Sequence, residues 1–181
     1  MARIPYPDPN SQEEDLRDLL KRLGSLNVTR MLSHSENLMR AYSKLGMHLL
    51  RGGRLDPVIR EAVILRIGQM CGSDYEWHQH ASVARAVGMP PEILSAIEAE
   101  DDDALPERMR AAMLIAQGVK SHGGADAETI AAATAHFDEV ELVEIIMTSG
   151  YYIMTAGLLL SLDIEIEDTA PLGAEFSGGQ A

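Results

Sequence analysis

With 181 residues and 46% hydrophobic content, the chain is long enough to bury one core without disulfides or a structural metal, and one domain is the default. A formal net charge of −13 excludes the usual nucleic-acid binder, which needs a basic stripe to displace counterions. The single cysteine, Cys71, allows no internal bridge, and no charged-then-apolar leader opens the sequence, so the expected location is a reducing cytoplasm.

Residues 1–10 hold Pro5, Pro7 and Pro9 and read as an extended N-terminal arm, able to wrap a neighbour. The helical domain then runs over 11–167. Ser11 ahead of Glu13 and Glu14 predicts a first helix with Leu16, Leu19, Leu20 and Leu23 on its apolar stripe. A second helical unit is expected from about Asn27 through Arg51, with Leu32, Leu38, Tyr42, Leu45, Leu49 and Leu50 facing inward and Gly52-Gly53 stopping it. Asp56-Pro57 caps a helix to about Met70, Ser73 or Asp74 starts one to Val87, and Pro90-Pro91 begins a short one to about Glu100. The acidic run Glu100 to Asp103 reads as a solvated connection. Helices follow at about 106–122, 127–136 and 140–162, then an alternating stretch from Leu162 to Glu167 that could form a short extended edge. Residues 168–181 read as a flexible C-terminal tail.

The fold class is therefore all-α, a bundle of about seven to eight helices. The stretch Ile145 to Leu162 carries no formal charge, but its threonines, tyrosines and glycines and its acidic flanks identify a buried helix and not a membrane span. A helix apolar on nearly every side needs cover on every side, which predicts a homo-oligomer.

The chemistry concentrates in Ser73-Asp74-Tyr75-Glu76-Trp77-His78-Gln79-His80. Glu76 and His80, four apart, share one helix face. Glu61 lies on the preceding helix, where it can reach the same place. Two carboxyls in a partly dry cleft cannot both ionise easily, so a shared proton is expected between Glu61 and Glu76. His80 or Glu76 is then the general acid/base, Glu61 orients the proton, and Tyr75 donates to a substrate oxygen. The bland alternative is a buried network tying two helices together. Glu76 and His80 with Glu61 or His78 could offer mixed metal ligands, but His78 points elsewhere and no second histidine shares the face, so neither metal nor cofactor is expected. His34, His48, His122 and His136 lack partners at ligand spacing, and no phosphate-cradling loop occurs.

Arg60-Glu61-Ala62-Val63-Ile64-Leu65-Arg66, followed by Tyr75 to His80 and Gly88, resembles the carboxymuconolactone decarboxylase family, which includes the alkylhydroperoxidase D proteins. His136-Phe137-Asp138 through Tyr151-Tyr152 is similar to the second half of that domain, so the likeness covers about 27–167. The resemblance implies an all-helical fold assembled as trimers or hexamers. In the peroxidase branch, a glutamate precedes two cysteines and a histidine; here Glu61 and His80 match, while Ser73 and Glu76 stand at the cysteine positions. Peroxide reduction by that route needs a thiolate and a resolving thiol, which neither residue supplies. The decarboxylase branch carries glutamate four before histidine, as Glu76 and His80 do. It implies a cofactor-independent lyase or isomerase that moves a proton on a small carbon acid or lactone, in the breakdown of aromatic compounds. The alternatives are a peroxidase using Cys71 with external thiols, and a non-catalytic ligand-binding oligomer.

Overall fold

Local signals in the sequence set the helix boundaries. The Asp56 carboxylate accepts from the Val58 and Ile59 amides, and Pro57 occupies the first helical position. Gly72, with φ +68°, ends that helix in the left-handed region. The Ser73 hydroxyl then accepts from the Glu76 amide to start the next. Asp138 and Glu141 form a reciprocal capping box at the head of the last helix.

The computed structural model describes residues 2–172. Among them lie nine α-helices and no strand: α1 Glu14–Arg22, α2 Asn27–Leu32, α3 Glu36–Met47, α4 Pro57–Cys71, α5 Asp74–Ala86, α6 Pro91–Glu98, α7 Glu107–His122, α8 Ala127–Ala133 and α9 Glu139–Leu162. A single π turn, His48–Gly52, prolongs α3.

Helix α4 is the axis of the bundle, surrounded by α5, α7 and α9. Ala62, Val63, Ile64, Leu65 and Ile67 are fully buried, each large side chain among them contributing about 1.5–3 kcal/mol of hydrophobic stabilisation. A Cβ on Gly68 would lie 3.4 Å from Cβ of Glu76. That absence lets α5 approach α4 closely and sets Glu76 against the axis. A smaller cluster, built from Leu16, Leu20, Met31, Met39 and Leu159, holds α1 to α3 onto the end of α9.

The predicted unit 27–51 is broken at Ser33–Ser35, which accounts for the ninth helix. Two turn hydrogen bonds, His34 N to Met31 O and Ser35 N to Leu32 O, carry the chain between α2 and α3. The break resets the helical phase, so Leu38 and Leu45, expected inside, are 54% and 37% exposed. The acidic run is not simply solvated: Asp102 is the counterion of buried Arg66 and also accepts from Gln117. No strand forms after α9 among the described residues. Instead the N-terminal arm lies along this segment, with Arg3 N on Leu162 O, and Ala2 N and the Tyr6 hydroxyl on Glu165. Of the expected tail, Leu172 donates its amide to Gln79 Oε1 at 2.7 Å; residues 173–181 of that tail lie outside the described residues.

Helix α9 buries one side, including Ile145, Ser149, Tyr152, Ala156 and Leu159, and exposes Val143, Met147, Met154 and Leu160 on the other. The single chain thus covers only one face of the helix expected to be buried all round. By length and composition it is the one helix among the described residues apolar enough to cross a membrane; its inner face packs on α4 and α7.

Gly46 tests the packing of α3 on α9, because a Cβ there would land on the Tyr151 hydroxyl. Gly46→Ala is expected to destabilise the fold by about 1–3 kcal/mol through overpacking, measurable by denaturant titration.

Candidate active site

Glu61, in the middle of α4, has no solvent exposure. Arg60 Nε donates to its Oε1 at 2.9 Å, and His80 Nδ1 lies 2.7 Å from Oε2. A carboxylate already paired with a guanidinium is an acceptor, so His80 donates from Nδ1 and Nε2 remains as its basic nitrogen. The imidazole also meets the edge of the Tyr152 ring, with centroids 4.8 Å apart and planes at 89°. Position and tautomer of His80 are therefore fixed from two helices, α4 and α9.

Glu76 occupies a different electrostatic setting. It is 2% exposed, and neither carboxyl oxygen has a hydrogen-bond partner among the described residues. Burial raises its pKa from 4.5 to about 8, with the Ser73 hydroxyl opposing weakly. Near neutral pH this side chain is a carboxylic acid with a proton to give.

The expected proton shared by Glu61 and Glu76 is not found. Glu61 uses its oxygens on Arg60 and His80, and Glu76 stands unpartnered. Arg60, drawn to 7% exposure, is the cation that pairs with Glu61. Tyr75 also departs from its expected role: its hydroxyl donates to Glu167, and Val28 N approaches it at 3.5 Å. Burial and that carboxylate push the phenol well above its usual range. Glu167 accepts from Gln79 Nε2 at 2.7 Å and from the Asn27 amide as well, so it clasps α2, α5 and the segment after α9 together.

Tyr75, Glu76 and His80 all border a cavity of about 650 Å³, while Glu61 lies behind His80 and supports it. Three further tyrosines contribute to the wall. Tyr42 and Tyr151 stack with centroids 4.7 Å apart, and Tyr151 meets Tyr152 edge-on at 5.3 Å. Lys21, Arg22 and Arg51 border the cavity too and are exposed, whereas the residues around Glu76 and His80 are buried. Size and lining suit a molecule of one ring with a few polar atoms.

Cys71 does not line this cavity. It is half-buried, and burial raises its thiol pKa, which disfavours the thiolate. His78 is exposed on the outer side of α5. Among the described residues no group of three or more histidines, cysteines and acids comes together as a metal site. The residues that sequence reasoning passed over are Arg60, Gln79, Tyr152 and Glu167. Tyrosines within an uncharged helix were the available signal, since a buried phenol needs a partner or a task.

Residues 36–118 match the model of the carboxymuconolactone decarboxylase family. No functionally curated protein matches the chain. Among solved structures, an uncharacterised peroxidase-related protein from Ralstonia eutropha JMP134 with an alkylhydroperoxidase AhpD core superposes with TM-score 0.82 at 19% identity, covering 97% of this chain and 94% of that one. A peroxidase-related protein from Silicibacter sp. TM1040 gives TM-score 0.74 at 17% identity, over 97% and 90% of the two chains. A cysteine-to-alanine variant of the debrominase Bmp8, in complex with 2,3,4-tribromopyrrole, gives 0.75 at 17% identity, over 93% and 95%. These similarities establish the AhpD-like helical fold.

Proposed function

We propose, for a chain that belongs through residues 36–118 to the carboxymuconolactone decarboxylase family, a cofactor-independent lyase or isomerase activity that moves a proton on a small enolisable carbon acid or lactone. The observation carrying this reading is the buried, unpartnered carboxyl of Glu76, a residue that borders the same cavity as His80. An acid kept neutral near pH 7 and an imidazole held in one tautomer form a complementary donor and acceptor pair. His80 Nε2 accepts a proton from carbon, and the Glu61 carboxylate, held in place by Arg60, stabilises the imidazolium that results. In a decarboxylation the electrons of the broken carbon–carbon bond pass to the adjacent carbonyl oxygen. Glu76 or protonated His80 then returns a proton to carbon.

The same reading places the protein in a cytoplasmic catabolic role as a homo-oligomer, a trimer or hexamer. Val143, Met147, Met154 and Leu160, exposed along one face of α9, support that assembly.

The test is turnover of a panel of enolisable lactones and ketones, carboxymuconolactone included, followed by ultraviolet absorbance and carbon dioxide release. Activity is expected to be independent of added thiol, unchanged in Cys71→Ser, and lowered about 10²- to 10⁴-fold in His80→Asn. Peroxide reduction with a dithiol that disappears in Cys71→Ser, with no lactone turned over, would overturn it.

A further inference from the structure

Of the four tyrosines on the cavity wall, three have their hydroxyls engaged. Tyr75 donates to Glu167, and Tyr151 donates to the Tyr42 carbonyl at 3.1 Å. The Tyr42 hydroxyl bonds Thr155 Oγ1 at 3.0 Å; that oxygen already donates to the Tyr151 carbonyl, so Tyr42 is the donor. Tyr152 is different: no hydrogen bond involves its hydroxyl among the described residues. It is 4% exposed, its ring is fixed between His80 and Tyr151, and its phenol lies within electrostatic reach of Glu61, Tyr42 and Glu76. The carboxyl of Glu76, sealed from solvent and without a partner, costs stability, whereas the uncommitted Tyr152 hydroxyl keeps some contact with solvent. One orphaned carboxyl and one uncommitted hydroxyl, on two residues that border one cavity beside one oriented imidazole, mark where a ligand oxygen belongs.

We propose that Tyr152 and Glu76 together hold the reacting carbonyl oxygen of the substrate, and that the part of the substrate entering the cavity is an uncharged, enolisable ring. This rests on the proton-transfer reading above and deepens it. As the carbon–hydrogen bond breaks, the proton passes to His80 Nε2 and the electron pair moves through carbon onto the carbonyl oxygen. That oxygen then carries the growing negative charge. A phenol and a neutral carboxylic acid directed at it stabilise the enolate without supplying a formal charge, the combination known from ketosteroid isomerisation. Return of the proton from His80 to a neighbouring carbon completes an isomerisation with nothing gained or lost. Among the described residues that line the cavity, the lysine and arginines are Lys21, Arg22 and Arg51, and all three are exposed. Any carboxylate on the substrate therefore faces that outer end.

The test uses 4-nitrophenol, whose oxygen mimics the enolate, and 4-nitrotoluene, which matches its shape but lacks that oxygen. Affinities are read by absorbance titration of the folded full-length chain. Tyr152→Phe and Glu76→Leu are each expected to weaken 4-nitrophenol about tenfold or more while holding 4-nitrotoluene within about twofold. Retained binding of 4-nitrotoluene shows that the cavity is intact in each variant. Unchanged 4-nitrophenol affinity in Tyr152→Phe overturns the proposal, as does a larger loss in Tyr75→Phe. The expected binding pattern without turnover of any enolisable substrate would leave the paired donors standing and defeat the catalytic reading. Turnover with Tyr152→Phe fully active would do the reverse.

Discussion

Replacement of Glu61 by glutamine is expected to cost about 3–5 kcal/mol of stability, the usual penalty for leaving one member of a buried ion pair without its partner. In a protein of this size that is a fall in Tm of roughly 6–20 °C, readable by circular dichroism. The cause is Arg60, which is 7% exposed and donates through Nε to Glu61. Glutamine keeps the volume of the side chain and removes the countercharge. Activity is expected to fall as well, because His80 Nδ1 loses the carboxylate that holds its tautomer. The double replacement Arg60→Met with Glu61→Leu should recover much of the stability, since apolar pairs of similar volume commonly substitute for a buried ion pair. It should recover none of the activity. A single Glu61→Gln variant as stable as the parent would show that the pair contributes neither strain nor support.

The second large effect concerns Glu76 and pH. Its folded pKa is raised from 4.5 to about 8 by burial, so between those values the folded chain holds a proton that the unfolded chain has released. Stability from this group is fully present below about pH 4.5 and is lost as pH rises through about 8, on the order of a few kcal/mol in total. The titratable groups that interact with it electrostatically are Tyr42 on α3, Cys71 on α4 and Tyr152 on α9, and His80 lies one turn further along its own helix. Glu76→Gln removes the titration and keeps the shape. The variant is expected to lose the downward slope of Tm between pH 5 and 8 and to be more stable than the parent at pH 9. Parallel curves for the two proteins would mean that the carboxyl reaches water when ionised. Catalysis should follow the same titration, with the parent's rate declining above about pH 8.

Much of the helical order was legible because caps and stops are local chemistry. Asp56-Pro57, Gly72, Ser73 and Asp138 each fix a boundary through contacts within a few residues. The break at Ser33–Ser35 was missed because the apolar spacing continues across it, and only tertiary packing of α2 distinguishes two short helices from one long one. Glu76 and His80 were readable as a pair from their spacing. Their division of labour was not, since it depends on Arg60 turning inward, an event that hydropathy argues against. The segment Ser73 to His80 points Tyr75 to a substrate oxygen, but its hydroxyl answers to Glu167, 92 residues away. Distances of that order along the chain leave no mark in spacing. Tyr152 was hidden for the same reason: its helix could be recognised, whereas the face it shows to α5 could not.

The clasp made by Glu167 has a bearing on when the site comes into being. Asn27, Tyr75 and Gln79 all wait for a residue made 140, 92 and 88 positions after them, and Leu172, later still, completes the rim. A nascent chain can therefore assemble α4 and α5 while it is still on the ribosome, yet the hollow beside them stays unroofed until the last helix has emerged and folded back. Competence to hold a ligand therefore follows the packing of α9 and the segment after it, and does not come with α4 and α5 alone.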